Sequence, residues 1–276
     1  MSYETISVTP LSPILGAEID GVDLSRPLGN QAFQEIHDAL MEHQVVFFRD
    51  QEMTVDEHKA FGRRFGELHI HPAVPAPEGH PEILTVHADE NSTYVAGEGW
   101  HTDVSCDVEP PMGSILHLHK APSPGGDTMF ASMYAAYDAL SVDMKSFLSG
   151  LKAWHSSEHV HKARYGKVGK LRDGEDNYPL ALQPIVRTHP VTGRKLLYVN
   201  SAFTTHIEGL KKHESDAILT MLYGHIDTPE FHCRFGWKDN SVAFWDNRCT
   251  QHRAIWDYFP QVRHGLRVTI KGDRPY

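Results

Sequence analysis

The sequence predicts a mainly β protein: a double-sheet sandwich of jelly-roll type, with flanking helices packed outside. Three observations lead there. Short apolar or alternating segments dominate the C-terminal two-thirds of the chain. The clearest amphipathic helices cluster early. Gly, Pro, Asn and Asp punctuate the segments at short intervals, as turns between strands require. No Pro/Gly/Ser linker divides the 276 residues, so one domain spanning 1–276 is expected.

In chain order, residues 6–24 read as short strands broken at Gly16 and Gly21. Residues 31–44 carry Phe33, Ile36, Leu40 and His43 at helical spacing, which predicts an amphipathic helix. Val45-Val46-Phe47-Phe48 is an uninterrupted apolar run, the pattern of a strand buried on both faces. Thr54 and Glu57 have the spacing of a capping box and open a helix over 55–65, with Phe61 and Phe65 on one face. Strands are predicted at 82–87, 113–120 and 128–132, the last two joined through the turn Ser123-Pro124-Gly125-Gly126. Helices at 133–140 and 142–149 follow, the second stopped by Gly150. Residues 155–182 are polar and irregular and are expected to form an active-site lid. PIVRTHP and KLLYVN read as a hairpin turning at Thr192-Gly193. A helix at 213–226, strands at 231–237 and 241–247, and a last strand at 265–270 complete the chain.

The formal charge of −10 argues against a nucleic-acid partner, which needs a basic surface, but leaves room for local basic pockets. Three cysteines, Cys106, Cys233 and Cys249, are odd in number and far apart, so neither a disulfide framework nor a CxxC zinc site is expected. The N-terminus lacks a basic region followed by an apolar run, and no apolar stretch is long enough to span a bilayer. A cytoplasmic protein is the expectation.

Chemistry concentrates at Trp100-His101-Thr102-Asp103. In an extended segment, side chains at i and i+2 share a face, so His101 and Asp103 can reach one metal ion together. In a chain with 20 histidines such a triplet is common by chance, so a third ligand is needed. The best one is His252, in WDNRCTQH, expected just after a strand and turn. Two histidines and one carboxylate suit iron(II) and leave positions open for reaction. Arg263 follows His252 and, on an adjacent antiparallel strand, would project into the same pocket. Its guanidinium suits bidentate binding of a carboxylate.

WHTDV, PPMGSIL, PSPGGDT, VRTHPVTGR, WDNRCTQH and the closing GDRPY resemble the taurine dioxygenase / 2,4-dichlorophenoxyacetate dioxygenase family. The resemblance runs from LGAEIDGVDLSRPL to the end of the chain. It implies a double-stranded β-helix core, with Fe(2+) bound by His101, Asp103 and His252. It also implies 2-oxoglutarate and O2 as cosubstrates, with Arg263 and Thr128 holding the distal carboxylate of 2-oxoglutarate. The implied reaction is hydroxylation with release of succinate and CO2. Related halogenases carry a small residue in place of the carboxylate ligand, so Asp103 favours hydroxyl transfer. Arg267 matches the arginine that binds the sulfonate in taurine dioxygenases, and His71 matches a histidine that contacts substrate there.

Two positions depart from the taurine pattern: Val74 stands where a tyrosine is expected, and Gly97 where an asparagine is expected. Both remove polar groups and add room. A less polar or bulkier anion is therefore expected: a sulfonate, a sulfate ester, or an aryloxy- or alkyl-carboxylate. Taurine itself is the alternative substrate, and a zinc hydrolase on the same barrel the alternative activity. The resemblance also implies a dimer or tetramer. Other polar groups have plainer explanations. His69, His117 and His119 fit strand or surface positions, His155, His159 and His161 belong to the expected lid, and Cys106 has no base beside it to activate a thiolate.

Overall fold

The computed structural model describes residues 3–71, 76–95, 97–158 and 178–276. The first half contains β1 (Ser7–Pro10), β2 (Ala17–Asp20), α1 (Asn30–His43), β3 (Val45–Phe48), α2 (Val55–Arg63), β4 (Ile83–Ala88), β5 (Gly113–Lys120) and β6 (Thr128–Ser132). Then come α3 (Met133–Asp138), α4 (Val142–Leu148), β7 (Lys152–Ser156), β8 (Leu180–Pro184), β9 (Val186–Thr188), β10 (Lys195–Leu197) and β11 (Thr204–Ile207). The chain finishes with α5 (Lys212–Ile226), β12 (His232–Phe235), β13 (Ser241–Asp246), β14 (Thr250–Ala254) and β15 (Arg263–Ile270).

Two sheets face each other. The larger runs β1-β2-β3-β13-β5-β15-β4, and the smaller runs β12-β6-β14. Side-chain alternation on the larger sheet explains its continuous apolar runs. Val45 and Phe47 of β3, Leu116 and Leu118 of β5, and Ala243 and Trp245 of β13 point between the sheets, where Phe130 and Phe235 of the smaller sheet meet them. Val46, Phe48, Ile115, Val242, Phe244, Val268 and Ile270 point the other way, under Ile36 and Leu40 of α1 and Phe61 of α2. A strand covered on both faces has no solvated side on which to place polar residues. The Thr54–Glu57 capping box forms as predicted, with both of its reciprocal hydrogen bonds present. A third cluster packs α3 and α5 beside β10 and includes Trp100.

The structure corrects several expectations. His252 lies within β14, whose sequence TQHRA is too polar to read as a strand. Strands β14 and β15 belong to opposite sheets, so Arg263 faces His252's sheet from across the sandwich and not from a neighbouring strand. Strands β12 and β13, separated by a short turn, also lie in different sheets. The segment 155–182 is not uniformly irregular. Strands β7 and β8 pair antiparallel across its base, and the His155 ring is fully buried between Ser105 and Thr204. The remainder of that predicted lid, 159–177, lies outside the described residues. Helix α2 ends at Arg63, short of Phe65.

Candidate metal and cosubstrate site

His101 and His252 are direct cross-strand partners. Each donates its backbone N–H to the other's carbonyl, at 3.1 and 2.8 Å, in an antiparallel bridge along β14. That pairing puts both rings on one side, with centroids 4.1 Å apart. Asp103 does not continue a strand; it opens a turn, and Val104 beyond it takes a positive φ of 50°. Even so, its Oδ1 lies 3.9 Å from Nε2 of both histidines. The three ligand atoms fall within 4.8 Å of one another.

Protonation and orientation favour a cation there. Nδ1 of His101 donates to the Gly99 carbonyl at 2.8 Å, which turns the lone pair of Nε2 toward Asp103. Burial, together with the neighbouring His101 ring, pushes the His252 imidazole well below its ordinary range and keeps it neutral. Asp103 is buried, which alone would raise its pKa. The Arg267 guanidinium opposes this most strongly, and the carboxyl sits well below the usual range, ionised. Ser114 of β5 donates to its Oδ2 at 2.8 Å, and the Asn247 amide approaches the same oxygen at 3.5 Å. Oδ1 is thereby the oxygen presented to the histidines. Asn247 is itself fixed by Trp245, whose Nε1 donates to its Oδ1 at 3.0 Å. Metal bonds of about 2.1 Å at right angles would separate donors by about 3 Å. Sub-ångström shifts close the observed spacing, so the donor set fits a divalent ion with one open face.

Thr128 starts β6 two residues before Phe130, and Phe130 pairs with His252. Thr128 and His252 therefore share the inward face, about 7 Å apart along the sheet. Arg263 reaches Thr128 from β15 in the opposite sheet, with Nη2 3.5 Å from its Oγ1. Nε of Arg263 donates to the Gly126 carbonyl at 3.1 Å. Gly126 has φ +73°, and a Cβ there would stand 2.5 Å from Pro122, so only glycine brings this carbonyl to the guanidinium. Arg263 is 3% exposed, and no acidic side chain pairs with it among the described residues.

Arg267 lies four residues further along β15 on the same face. Its Nη1 donates to Asp103 Oδ1 at 2.7 Å, while its buried Nε has no partner among the described residues. The sequence assigned it to substrate; here it touches the carboxylate of the triad. Gly97 takes φ +88°, and a Cβ would come within 3.0 Å of Cε1 of His101. Its carbonyl accepts from Ala254 of β14 at 2.7 Å. Gly97 thus abuts the His101 ring. His71 is partly buried at the last described position before 72–75, and Val74 lies outside the described residues. The Cys106 thiol, pushed up to about 12 by burial, is inert as a nucleophile.

Composition reasoning missed four side chains that shape this site: Ser114, Trp237, Asn247 and, as the mount of Asn247, Trp245. All but Trp237 stand inside quoted motifs, but no motif states which atoms they hold. Trp237 Nε1 donates to Thr128 Oγ1 at 3.0 Å.

A second histidine–acid–cysteine group, His189, Asp246 and Cys249, is equally compact and wholly buried. Its atoms are already satisfied by protein. Nδ1 of His189 accepts from the Val191 and Thr192 backbone N–H groups at 3.2 and 3.1 Å, so Nε2 carries the proton it donates to Asp246 at 3.1 Å. Arg248 clasps both oxygens of Asp246 at 2.9 and 2.7 Å. Burial pushes the Cys249 thiol well up, so no thiolate is offered.

The model of the taurine catabolism dioxygenase TauD, TfdA family matches residues 7–269. The chain belongs to this family. An alpha-ketoglutarate-dependent sulfonate dioxygenase of Saccharomyces cerevisiae is 34% identical, over 98% of this chain and 68% of the yeast protein. An alpha-ketoglutarate-dependent sulfate ester dioxygenase of Pseudomonas putida is also 34% identical, over 98% of this chain and 91% of its own. The crystal structure of a taurine dioxygenase from Burkholderia xenovorans superposes with a TM-score of 0.85 at 37% identity, covering 99% of this chain and 93% of that one. The mainly β jelly-roll architecture predicted for the chain is the one it has in common with its family. No helix among the described residues is long and apolar enough to cross a membrane.

Proposed function

We propose that the protein is an Fe(II)- and 2-oxoglutarate-dependent dioxygenase that hydroxylates a small organic anion. The observation that carries this reading is the buried guanidinium of Arg263 beside Thr128, which no acidic side chain pairs among the described residues, on the same inner face as the His101–Asp103–His252 group. A buried cation without a counter-charge is costly, and a bound dicarboxylate would supply that charge. His101, Asp103 and His252 would hold the iron; Arg263 and Thr128 would hold the distal carboxylate of 2-oxoglutarate. Coupled to such a site, oxidation of 2-oxoglutarate by O2 yields succinate and CO2 and transfers hydroxyl to the substrate. A hydrolase with zinc at the same triad would leave Arg263 and Thr128 without a role.

The chain's own groups bias the pocket toward anions. Although the protein carries a formal charge of −10, Arg267 and two histidines surround the single carboxylate of Asp103, and Arg263 stands beside Thr128 on the same inner face. Arg267, with its buried unpartnered Nε, is the group best suited to a substrate sulfonate, sulfate or carboxylate. Gly97, His71 and Val74 are the positions we assign to substrate shape. The names of the yeast and Pseudomonas relatives support a sulfonate or sulfate ester, with aryloxy- or alkyl-carboxylates in the same anionic class. Taurine remains the second reading, favoured by the Burkholderia structure.

Strands from both ends of the chain interleave in the larger sheet, which supports one domain over 1–276. Three buried free thiols support a reducing, cytoplasmic setting. A dimer or tetramer is the assembly we expect.

The deciding experiment supplies purified protein with Fe(II), ascorbate, 2-oxoglutarate and a panel of taurine, alkylsulfonates, sulfate esters and aryloxyalkanoates, and measures succinate. Substrate-dependent succinate is expected from at least one anion. Failure to consume 2-oxoglutarate with any of them would sink the reading.

A further inference from the structure

We infer that Trp237 is a positioning residue for the cosubstrate: its indole N–H fixes the direction in which Thr128 donates, and its ring steadies Arg263. The inference rests on the cosubstrate site proposed above.

Hydrogen-bond donors around the Thr128 hydroxyl outnumber acceptors among the described residues. A threonine hydroxyl has one proton and two lone pairs, whereas an indole N–H and a guanidinium can only donate. Trp237 Nε1 lies 3.0 Å from Thr128 Oγ1, so Thr128 accepts there. Arg263 Nη2 lies 3.5 Å from the same oxygen and occupies the second lone pair, more weakly. The hydroxyl proton is then left pointing away from both donors. No acceptor for it exists among the described residues. A buried hydroxyl with its proton aimed at no protein group needs an acceptor from outside, and a carboxylate oxygen is one. Without the indole, the hydroxyl can rotate and present a lone pair to the same carboxylate, which repels it.

Trp237 also shapes the arginine. The guanidinium carbon of Arg263 lies 5.4 Å from the Trp237 ring centroid, within range of a cation–π attraction. Nε is taken by Gly126 and Nη2 leans on Thr128, while Nη1 has no protein partner among the described residues. Three donors therefore converge as a set: the Thr128 hydroxyl and the outward N–H groups of Nη1 and Nη2. The ring itself is wedged edge-on against Phe235, with centroids 5.0 Å apart. Its other side lines a surface cavity of about 430 Å³ bounded by Pro124, Asp127, Arg234 and Asp257. Trp237 is thus the wall between that cavity and the proposed carboxylate subsite.

The test is calorimetric binding of 2-oxoglutarate to the Mn(II)-loaded protein, which needs no turnover. Trp237→Phe keeps the aromatic wall and removes only the N–H. It is expected to weaken binding about five- to tenfold, the effect of one misdirected hydrogen bond, with Mn(II) affinity unchanged. In a Thr128→Val background, Trp237→Phe should have no further effect, because the hydroxyl it orients is gone. Wild-type affinity in W237F would overturn the inference, and so would an undiminished loss in the T128V background, which would mark a packing role. If W237F does not fold, Trp237→His, which retains a ring N–H, must bind more tightly than Trp237→Leu for the inference to stand. A wild-type protein that binds Mn(II) but no 2-oxoglutarate would instead remove the cosubstrate site itself, and the inference with it.

Discussion

His101, Asp103 and His252 form one compact group; His189, Asp246 and Cys249 form another, from almost the same kinds of side chain. They differ in where the lone pairs go. In the second group every acceptor meets a protein donor: two backbone N–H groups on His189, and the His189 ring and Arg248 on Asp246. In the first, two Nε2 atoms face one carboxylate oxygen at 3.9 Å, beyond hydrogen-bond reach, and Arg267 is the only Lys or Arg paired with it among the described residues. One cluster is closed by its own chain; in the other, two imidazole nitrogens and a carboxylate oxygen face one another with no hydrogen bond between them. Proximity of ligand-type residues therefore does not by itself mark a candidate metal centre; the hydrogen bonds each group already makes to the chain must be counted first.

Mutation should separate the two. The largest contrast is expected from His252→Ala, which should abolish Mn(II) binding in a titration while the melting temperature of the metal-free protein changes little. Unaltered metal affinity would erase the distinction. Asp246→Ala should do the reverse. It strands the buried Arg248 charge and should cost about 3–5 kcal/mol of stability in urea unfolding, with metal binding intact in the folded fraction. Next, Arg263→Ala should raise the 2-oxoglutarate concentration required for half-maximal succinate production by about 30-fold or more, the effect of losing a charged contact worth roughly 2–5 kcal/mol. A change below threefold would mean the guanidinium serves only the protein. The smallest effect is expected from Ser114→Ala, which frees Asp103 Oδ2. Metal affinity should fall about tenfold, the low end for loss of a group that orients a ligand, without loss of fold by circular dichroism.

The site was legible in part because some of its logic is local. His101 and Asp103 stand two apart, and Thr54 with Glu57 announced its helix cap at fixed spacing. The Val45–Phe48 run announced a strand with both faces covered. Long-range partners carried no such mark. TQHRA did not read as a strand, and His252 was expected just after a strand and turn, because the segment's strand character comes from pairing with β6 and from the bridge to His101, not from apolar side chains. Trp237 drew no expectation, because its contact with the site is a hydrogen bond to a threonine 109 positions away. Arg267 was assigned to substrate from its place in the motif, yet its nearest partner is Asp103. Gly97 looked like added room; its positive φ and its approach to the His101 ring add a backbone requirement that the sequence did not show.

By itself, the sequence determined the family, the mainly β architecture and the identity of the residues that converge. Those follow from residue type, short-range spacing and motif order, which folding does not alter. Only the tertiary structure decided which sheet each strand joins, which oxygen of Asp103 faces the histidines, and which of two similar clusters is closed by its own hydrogen bonds. Those outcomes depend on contacts between residues far apart in the chain. Hydrogen-bond saturation is a property of all the neighbours at once, and no local pattern encodes it.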